Sequence, residues 1–519
     1  MMRKISFLVV SVLVSVCTAS KILTFFPFPS KSHGILGHAV VKHLLNAGHE
    51  VTYVTPFPWK NVPPNLEQVD VSSLLIALQG QSFLNISEIL EKKDCEINNP
   101  SFVFGISLDI AQKSITHENV NKLLLDRSRH FDAVIGEWMY NDIYCGLAQV
   151  YECPYIMFTT FDATPIVLNR IDGFYNPAVT PSGLFGHLPP FSFGERVKEL
   201  YAYIGETLLT RFSFDGREKS AYEMLYTPIM KKLGKSLAPY EEARYNISMA
   251  LVNTHVSLGY ATKIPQNYLP VGGFHVDTDT KPLPKDIQEI MDNAKHGVIY
   301  FSMGSNLKSK DLPKSIKDNL LKMFGSLKQT VLWKFEENLP DTPKNVRILQ
   351  WAPQPSILAH PNCLLFITHG GLLSTTETIY YGVPVIGIPI FADQFMNVDR
   401  AVNKGFAKRI DLTYDVADKL KEAIEDVISN PKYTEKTKEL SLIYHHRPIQ
   451  PGQLLVHGVE HAILTKGAKH LRSPQFLTPW YQKLYLDLLA LISVILIVLV
   501  KVSKIILRTI LPDKKIKKK

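Results

Sequence analysis

The stretch Cys363-Leu364-Leu365-Phe366-Ile367-Thr368-His369-Gly370-Gly371-Leu372-Leu373-Ser374-Thr375-Thr376-Glu377 decides the fold. An apolar strand, 363–368, runs straight into His-Gly-Gly, which opens a helix carrying Ser374 and Glu377. A strand feeding a helix in this way belongs to a parallel sheet with crossover helices. The N-terminus of such a helix leaves free N–H groups and a positive potential, so a diphosphate fits there. The glycines let the backbone approach the phosphates closely. Glu377 falls about two turns into the helix and can accept hydrogen bonds from sugar hydroxyls. Just upstream, Trp351-Ala352-Pro353-Gln354 offers an indole face for a base and an amide for its edge. Downstream, Gly382-Val383-Pro384 leads into Pro389-Ile390-Phe391-Ala392-Asp393-Gln394, where Asp393 and Gln394 could hydrogen-bond a hexose.

The same alternation of apolar strands and helical segments runs through the chain. In the first half the strands are expected at Lys21–Phe26, Glu50–Thr55, Phe131–Gly136 and Pro154–Thr159, with a helix over about Ile35–Ala47. The second set comprises Ser248–Asn253, Gly297–Met303, Thr330–Phe335, Val346–Leu349, Cys363–Thr368 and Val383–Ile388. The Pro- and Gly-bearing stretch 265–284 reads as the link between two domains, 21–264 and 285–480. The fold class is therefore α/β: two facing, Rossmann-like doubly wound domains, with a ligand cleft between the carboxyl ends of their sheets.

Residues 351–397 resemble the signature of the UDP-glycosyltransferases, and specifically of the membrane-bound animal glucuronosyl/glucosyltransferases. The His-Gly-Gly-Leu-Leu-Ser-Thr-Thr-Glu wording is similar to that of invertebrate members. The resemblance extends to Phe301-Ser302-Met303-Gly304-Ser305, Asn253-Thr254-His255 and Pro270-Val271-Gly272-Gly273. It implies a GT-B fold with an N-terminal acceptor domain and a C-terminal UDP-sugar domain. The donor residues it implies are Ser305, Trp351, Gln354, His369, Gly371, Ser374, Glu377, Asp393 and Gln394. The UDP-sugar is then a co-substrate, with no cofactor and no metal. Leu373 departs from the pattern, because many members carry Asn there beside the phosphates.

Ser32-His33-Gly34, in the loop expected after the first strand, matches the family's catalytic base. An imidazole suits removal of a proton from an acceptor hydroxyl, and it works best when a carboxylate orients its other nitrogen. The family's partner is an Asp, whereas the corresponding position in Phe131-Asp132-Ala133-Val134-Ile135-Gly136-Glu137 is Glu137, with Asp142 as a nearby rival. The expected reaction is inverting transfer of a hexosyl group, glucose favoured, to a hydroxyl of small lipophilic acceptors. UDP-glucuronate remains an alternative donor. A catalytically dead, membrane-tethered UDP-sugar-binding subunit is the rival from another class. The resemblance also allows a homo-oligomer.

The chain has 519 residues, too many for one ordinary core, and 46% of them are hydrophobic against 20% charged, which excludes a disordered chain. The formal charge of +9 suggests a nucleic-acid partner until it is located. Arg3 and Lys4 at one end, with Lys501, Lys504, Arg508 and the lysines after Asp513 at the other, account for all of it. Residues 21–500 are formally neutral, so no nucleic-acid partner is expected. Residues 1–20 read as a secretory signal. Residues 484–506 read as a transmembrane helix, preceded by Trp480, Tyr481 and Tyr485 and followed by a basic cytosolic tail, 507–519. The last residues, Lys515-Ile516-Lys517-Lys518-Lys519, resemble a dilysine retrieval signal. Together these place a luminal catalytic body on a type I anchor in the endoplasmic reticulum membrane.

Cys95, Cys145, Cys153 and Cys363 make no disulfide framework, though the lumen would permit one bridge. Asn85-Ile86-Ser87 is the expected glycosylation site. His457-Gly458-Val459-Glu460-His461 and Asp277-Thr278-Asp279 mimic metal motifs, but each reads better as a solvated helix stripe and a turn. Gly34-Ile35-Leu36-Gly37 is not a dinucleotide-binding fingerprint.

Overall fold

The computed structural model describes residues 19–510 except 80–85, 93–98, 163, 173–174, 183–188, 260–262, 278–279, 305–306 and 308. Nearly all of the signal segment, Asn85, Cys95, Ser305 and the dilysine tail lie outside the described residues.

In the first domain β1 (Lys21–Phe25), β2 (Glu50–Thr55), β3 (Leu66–Asp70), β4 (Ala133–Trp138), β5 (Tyr155–Thr159), β6 (Ile247–Val252) and β7 (Tyr268–Pro270) form one sheet. Its order is β3-β2-β1-β4-β5-β6-β7 and every pairing is parallel. In the second domain β8 (Val298–Ser302), β9 (Thr330–Lys334), β10 (Val346–Leu349), β11 (Cys363–Thr368), β12 (Val385–Gly387) and β13 (Ala407–Arg409) follow the order β10-β9-β8-β11-β12-β13, again all parallel. Helices cover both faces of each sheet. The central strands are consequently unbroken apolar runs instead of alternating ones: β4, β6 and β8 are buried at every position. In each sheet the strand order reverses once, between β1 and β4 and between β8 and β11. Loops leaving those strands diverge, which opens a crevice at the carboxyl ends.

Several details differ from the sequence reading. The strand expected at Ser248–Asn253, grouped there with the second set, is β6 of the first sheet, paired with β5. The first helix begins at Lys31, so His33 lies in its first turn and not in a loop. Pro27 and Pro29 hold the chain extended as far as Ser30, and the helix starts as soon as they are passed. β4 runs to Trp138, which puts Glu137 inside the strand. β3, β7 and β13 were not anticipated. β3 buries only Leu66 and Val69 fully, and the other two have three residues each. Finally, the helix Pro451–Leu464 falls within 285–480 but packs on the first domain. Its Leu455, Val459 and Ala462 share a core with Ile22, Val40 and Phe158.

The stretch 265–284 is bound into both domains. It contributes β7 to the first sheet and buries Val271 and Phe274 in the first domain's core. His43 Nε2 meets the Phe274 carbonyl at 2.8 Å, and Lys42 pairs with Asp277. From the other side, Tyr444 donates its hydroxyl to the Gly272 carbonyl at 3.2 Å, and Lys281 accepts from Ser356 through its carbonyl at 2.8 Å.

At the far end Leu486–Ile510 is one helix of 25 residues, long and apolar enough to cross a membrane, with none of its residues buried in the body. It takes in residues 507–510, which the sequence reading gave to the tail. Cys145, Cys153 and Cys363 are free thiols.

The Gly272-Gly273 pair has a steric cause. Gly273 has φ +92°, and a Cβ there would fall inside the Tyr444 hydroxyl, while one on Gly272 would meet the Thr254 backbone. Gly273→Ala is therefore expected to lower stability by about 2 kcal/mol or more, measured by thermal unfolding of the solubilised protein.

Candidate active site

The first wall of the crevice is made by the chain leaving β1 and β4, which pair in register up to Phe25 and Gly136. His33, in the opening turn of the helix that follows β1, turns Nδ1 to within 2.6 Å of Glu137 Oε1. The contact takes up Nδ1 and leaves Nε2 as the ring nitrogen available to a ligand. The Phe28 ring lies 4.4 Å from the imidazole and fixes its other face. Glu137 is 1% exposed, and its second oxygen has no partner among the described residues. Beyond it Tyr140 turns the chain with φ +51°, a conformation that costs a bulky residue about 1–3 kcal/mol. Gly34 cannot carry a side chain here, because a Cβ would run into the Phe57 ring.

Asp142, the rival partner, is elsewhere. Its Oδ1 accepts from Trp138 Nε1 at 2.6 Å. Its Oδ2 lies 2.7 Å from Arg170 Nε and 3.2 Å from Arg244 Nη2. Glu218, which accepts from the Asp142 amide, is pushed above the ordinary carboxylate range by burial and by Asp142 itself. This buried network braces the outgoing end of β4 through Trp138, and among the described residues none of its hydrogen bonds or ion pairs reaches the His33 imidazole. It is a structural support of the Glu137 strand.

The second wall comes from β8 and β11. Gly304 (φ +82°) and Gly371 both abut the His369 ring, and a Cβ on either would collide with it. Burial, helped by the nearby Lys334 cation, pushes His369 down to about 4, so it is a neutral hydrogen-bonding ring. Lys334 donates to the Gly304 carbonyl at 2.7 Å and to Glu336 at 3.2 Å. It stands beside the His-Gly-Gly turn, and no motif in the sequence announced it. The helix Leu372–Tyr381 opens at Gly371 with no side-chain cap. Its first N–H groups therefore remain for a ligand.

One turn further, Gln354 donates to Ser374 Oγ at 3.1 Å and to Glu377 Oε2 at 2.6 Å, and it accepts from the Tyr300 hydroxyl at 3.2 Å. Both ends of its amide are thus engaged within the protein instead of waiting for a base edge. Burial pushes Glu377 up to about 7, with the Gln354 amide acting against it. Trp351 is 67% exposed and offers an open ring face. Leu373 packs against the first domain's core. Its apolar side chain suits that contact between the domains where an Asn would be poorly solvated.

Asp393 and Gln394 open the helix that follows β12. Gln394 Oε1 accepts from the Ile390 and Phe391 amides at 2.9 and 3.2 Å, and Asp393 Oδ2 from Asn397 at 2.8 Å. Burial raises the Asp393 carboxyl, and the Asn397 bond and the His33 imidazole across the cleft act against that rise. The walls meet at two further points. Lys31 Nζ lies 5.7 Å over the Trp351 ring, and Arg400 pairs with Asp162 in a buried cross-domain ion pair. Of the metal mimics, Glu460 is taken by His49 at 3.4 Å, His461 faces His470 at 3.1 Å, and Asp277 pairs with Lys42. Among the described residues no group of three or more potential ligands could hold a metal ion.

A cleft with a carboxylate-held imidazole on one wall and an uncapped helix N-terminus on the other can bring an acceptor hydroxyl to a phosphorylated donor. Two parallel-sheet domains joined in this way define the GT-B class of glycosyltransferases. The calicheamicin glycosyltransferase matches 86% of this chain and 98% of its own at TM-score 0.54 and 16% identity. A UDP-glucosyltransferase from Polygonum tinctorium matches 85% and 98% at the same score and identity, a likeness of fold. In sequence the chain belongs to the UDP-glucoronosyl and UDP-glucosyl transferase family, whose model matches residues 26–519. It is 32% identical over 486 residues to UDP-glucosyltransferase 2 of Dactylopius coccus, covering 93% of this chain and 92% of that one. It is equally 32% identical over 483 residues to UDP-glucuronosyltransferase 2B15 of Rattus norvegicus, covering 88% and 87%. The protein is a UDP-glycosyltransferase.

Because Asp142 neutralises two buried guanidinium groups, Asp142→Asn is expected to cost about 3–5 kcal/mol in urea unfolding, whereas Glu137→Gln should cost far less. Equal losses would mean that Asp142 is not the anchor of the network.

Proposed function

We propose that this protein transfers a hexosyl group, glucose favoured, from a UDP-sugar to a hydroxyl of small lipophilic acceptors with inversion at the anomeric carbon. The observation that carries this reading is the 2.6 Å contact between His33 and Glu137 on the wall opposite the His369-Gly370-Gly371 turn. The free Nε2 of His33 takes the acceptor's proton as the oxygen attacks the anomeric carbon and the bond to UDP breaks. Glu137 stabilises the imidazolium that forms. Charge developing on the leaving diphosphate meets the N–H groups at the start of the Leu372–Tyr381 helix and the neutral ring of His369, so the step needs no metal.

In this reading Trp351 stacks on the uracil and Glu377 accepts from the ribose hydroxyls, with Gln354 orienting Glu377 and Ser374. Asp393 and the Nε2 end of Gln394 hold the sugar. The name of the Dactylopius coccus relative supports glucose as donor, and that of the rat relative keeps glucuronic acid as the alternative. The Leu486–Ile510 helix and the lysines beyond it support a type I anchor in the endoplasmic reticulum membrane with the catalytic body in the lumen. Acceptors that partition into lipid would reach a body held there.

The test is UDP release by detergent-solubilised protein with EDTA present, UDP-glucose and UDP-glucuronate in parallel, and a mixed panel of phenols and lipophilic alcohols. Acceptor-dependent release is expected with UDP-glucose, with kcat lowered about 10²–10⁴-fold in His33→Ala and Glu137→Gln. Tight UDP-sugar binding with no turnover on any acceptor would instead identify a catalytically dead tethered subunit.

Glu377 sets a pH dependence. Its ionised form accepts from both ribose hydroxyls, and protons compete for that form near its pKa of about 7. UDP affinity is expected to weaken several-fold as pH falls from about 8 to about 6, and the Glu377→Gln variant to lack this share of the slope. Isothermal titration of both proteins across that range reads it directly.

A further inference from the structure

His275 belongs to the connecting stretch between the domains, yet its ring sits at the donor site. The side chain is 2% exposed, and neither ring nitrogen has a hydrogen-bond partner among the described residues. Its Nε2 lies 4.0 Å from Glu377 Oε1. That is the oxygen Gln354 leaves open, since the Gln354 amide holds Oε2 at 2.6 Å. A buried imidazole with two unsatisfied nitrogens is costly, and such a group persists where it acquires a partner in another state of the protein. Burial pushes it down to about 4, so it is a neutral ring able to donate one N–H.

The backbone around His275 is held from the first domain. His43 reaches the carbonyl of Phe274, Lys42 pairs with Asp277, and both lie on the helix whose first turn carries His33. His275 is therefore fixed to the element bearing the imidazole of the opposite wall, while its own ring reaches the carboxylate of the donor domain.

We propose that His275 is a positioning residue for the donor nucleotide: its Nε2–H closes on Glu377 Oε1 when UDP binds. With Gln354 on Oε2, the carboxylate is then fixed for the vicinal hydroxyls of the ribose. The inference rests on the reading of Glu377 as the ribose acceptor. It adds that the connecting stretch is part of the binding site and that nucleotide binding draws it to the donor domain.

The experiment is isothermal titration of the full-length, detergent-solubilised protein with UDP, which needs no acceptor, accompanied by thermal unfolding of each variant. His275→Phe keeps the volume and removes the polar atoms, and its Kd for UDP is expected to rise about tenfold. His275→Gln, which can still donate to the carboxylate, is expected to recover most of that loss. In a Glu377→Ala background His275→Phe should add nothing further. A Phe variant with lowered melting temperature but unchanged Kd would overturn the proposal and make His275 a core residue, as would equal loss with Gln and Phe. If Glu377→Ala alone leaves UDP affinity intact, the ribose reading falls as well. If Glu377→Ala weakens binding while the His275 variants do not, only the present inference falls. Should the Phe variant fail to accumulate, His275→Asn, too short to reach Oε1, carries the same comparison against Gln.

Discussion

A carboxylate buried inside a parallel strand has to be compensated, and Glu137 is compensated by one short hydrogen bond to His33. Much of the first domain is arranged to make that bond. β1 and β4 are neighbours, so the chain after one meets the chain within the other. Two prolines delay the first helix until Ser30 and bring its third residue, His33, over the strand end. The Trp138–Asp142–Arg170–Arg244 network locks the following residues, so the carboxylate cannot swing away to water. The extra methylene of Glu over Asp is accommodated, because the longer side chain still reaches the imidazole from within the strand.

The second domain repeats the geometry with a different purpose. Its crevice lies between β8 and β11, and the glycines there make room for the His369 ring instead of for a carboxylate. The proposed reaction needs both walls of the cleft, so the relative position of the domains matters more than either wall alone. Several contacts fix it: the Arg400–Asp162 pair, Lys31 over Trp351, Leu373 against the first domain's core, and the helix Pro451–Leu464 returning to the first domain. The stretch 265–284 adds a strand to one sheet while its carbonyls accept from the other domain. It works less as a tether than as a shared wall.

Much of this was legible in the sequence, for identifiable reasons. β4, β6, β8 and β11 are buried on both faces, so their apolar runs stand out. The His-Gly-Gly turn is legible because a strand that runs straight into a helix past a buried ring needs small residues there. Edge strands such as β7 and β13 carry no such signal, since three residues at a sheet margin need little apolar surface. The choice between Glu137 and Asp142 could not be read from spacing, because both lie close to the carboxyl end of β4, one inside it and one beyond. Only the fold places Arg170 and Arg244, far along the chain, around Asp142. The engagement of both ends of Gln354, the position of Lys334 and the buried ring of His275 were invisible for the same reason: each depends on partners brought from a distant segment. Leu373 was visible as a departure, but its apolar role needed the neighbouring domain to become apparent.

The central claim is a single displacement at the anomeric carbon, driven by the His33–Glu137 pair from the face opposite the diphosphate. The most direct measurement is the anomeric configuration of the glycoside formed from an α-linked UDP-sugar, read from the proton NMR coupling of the anomeric hydrogen in the first product isolated. The account predicts a β-linked product with no α-anomer at early turnover. An α-linked product would contradict it, because retention requires a second displacement or a front-side route that this pair of residues does not provide.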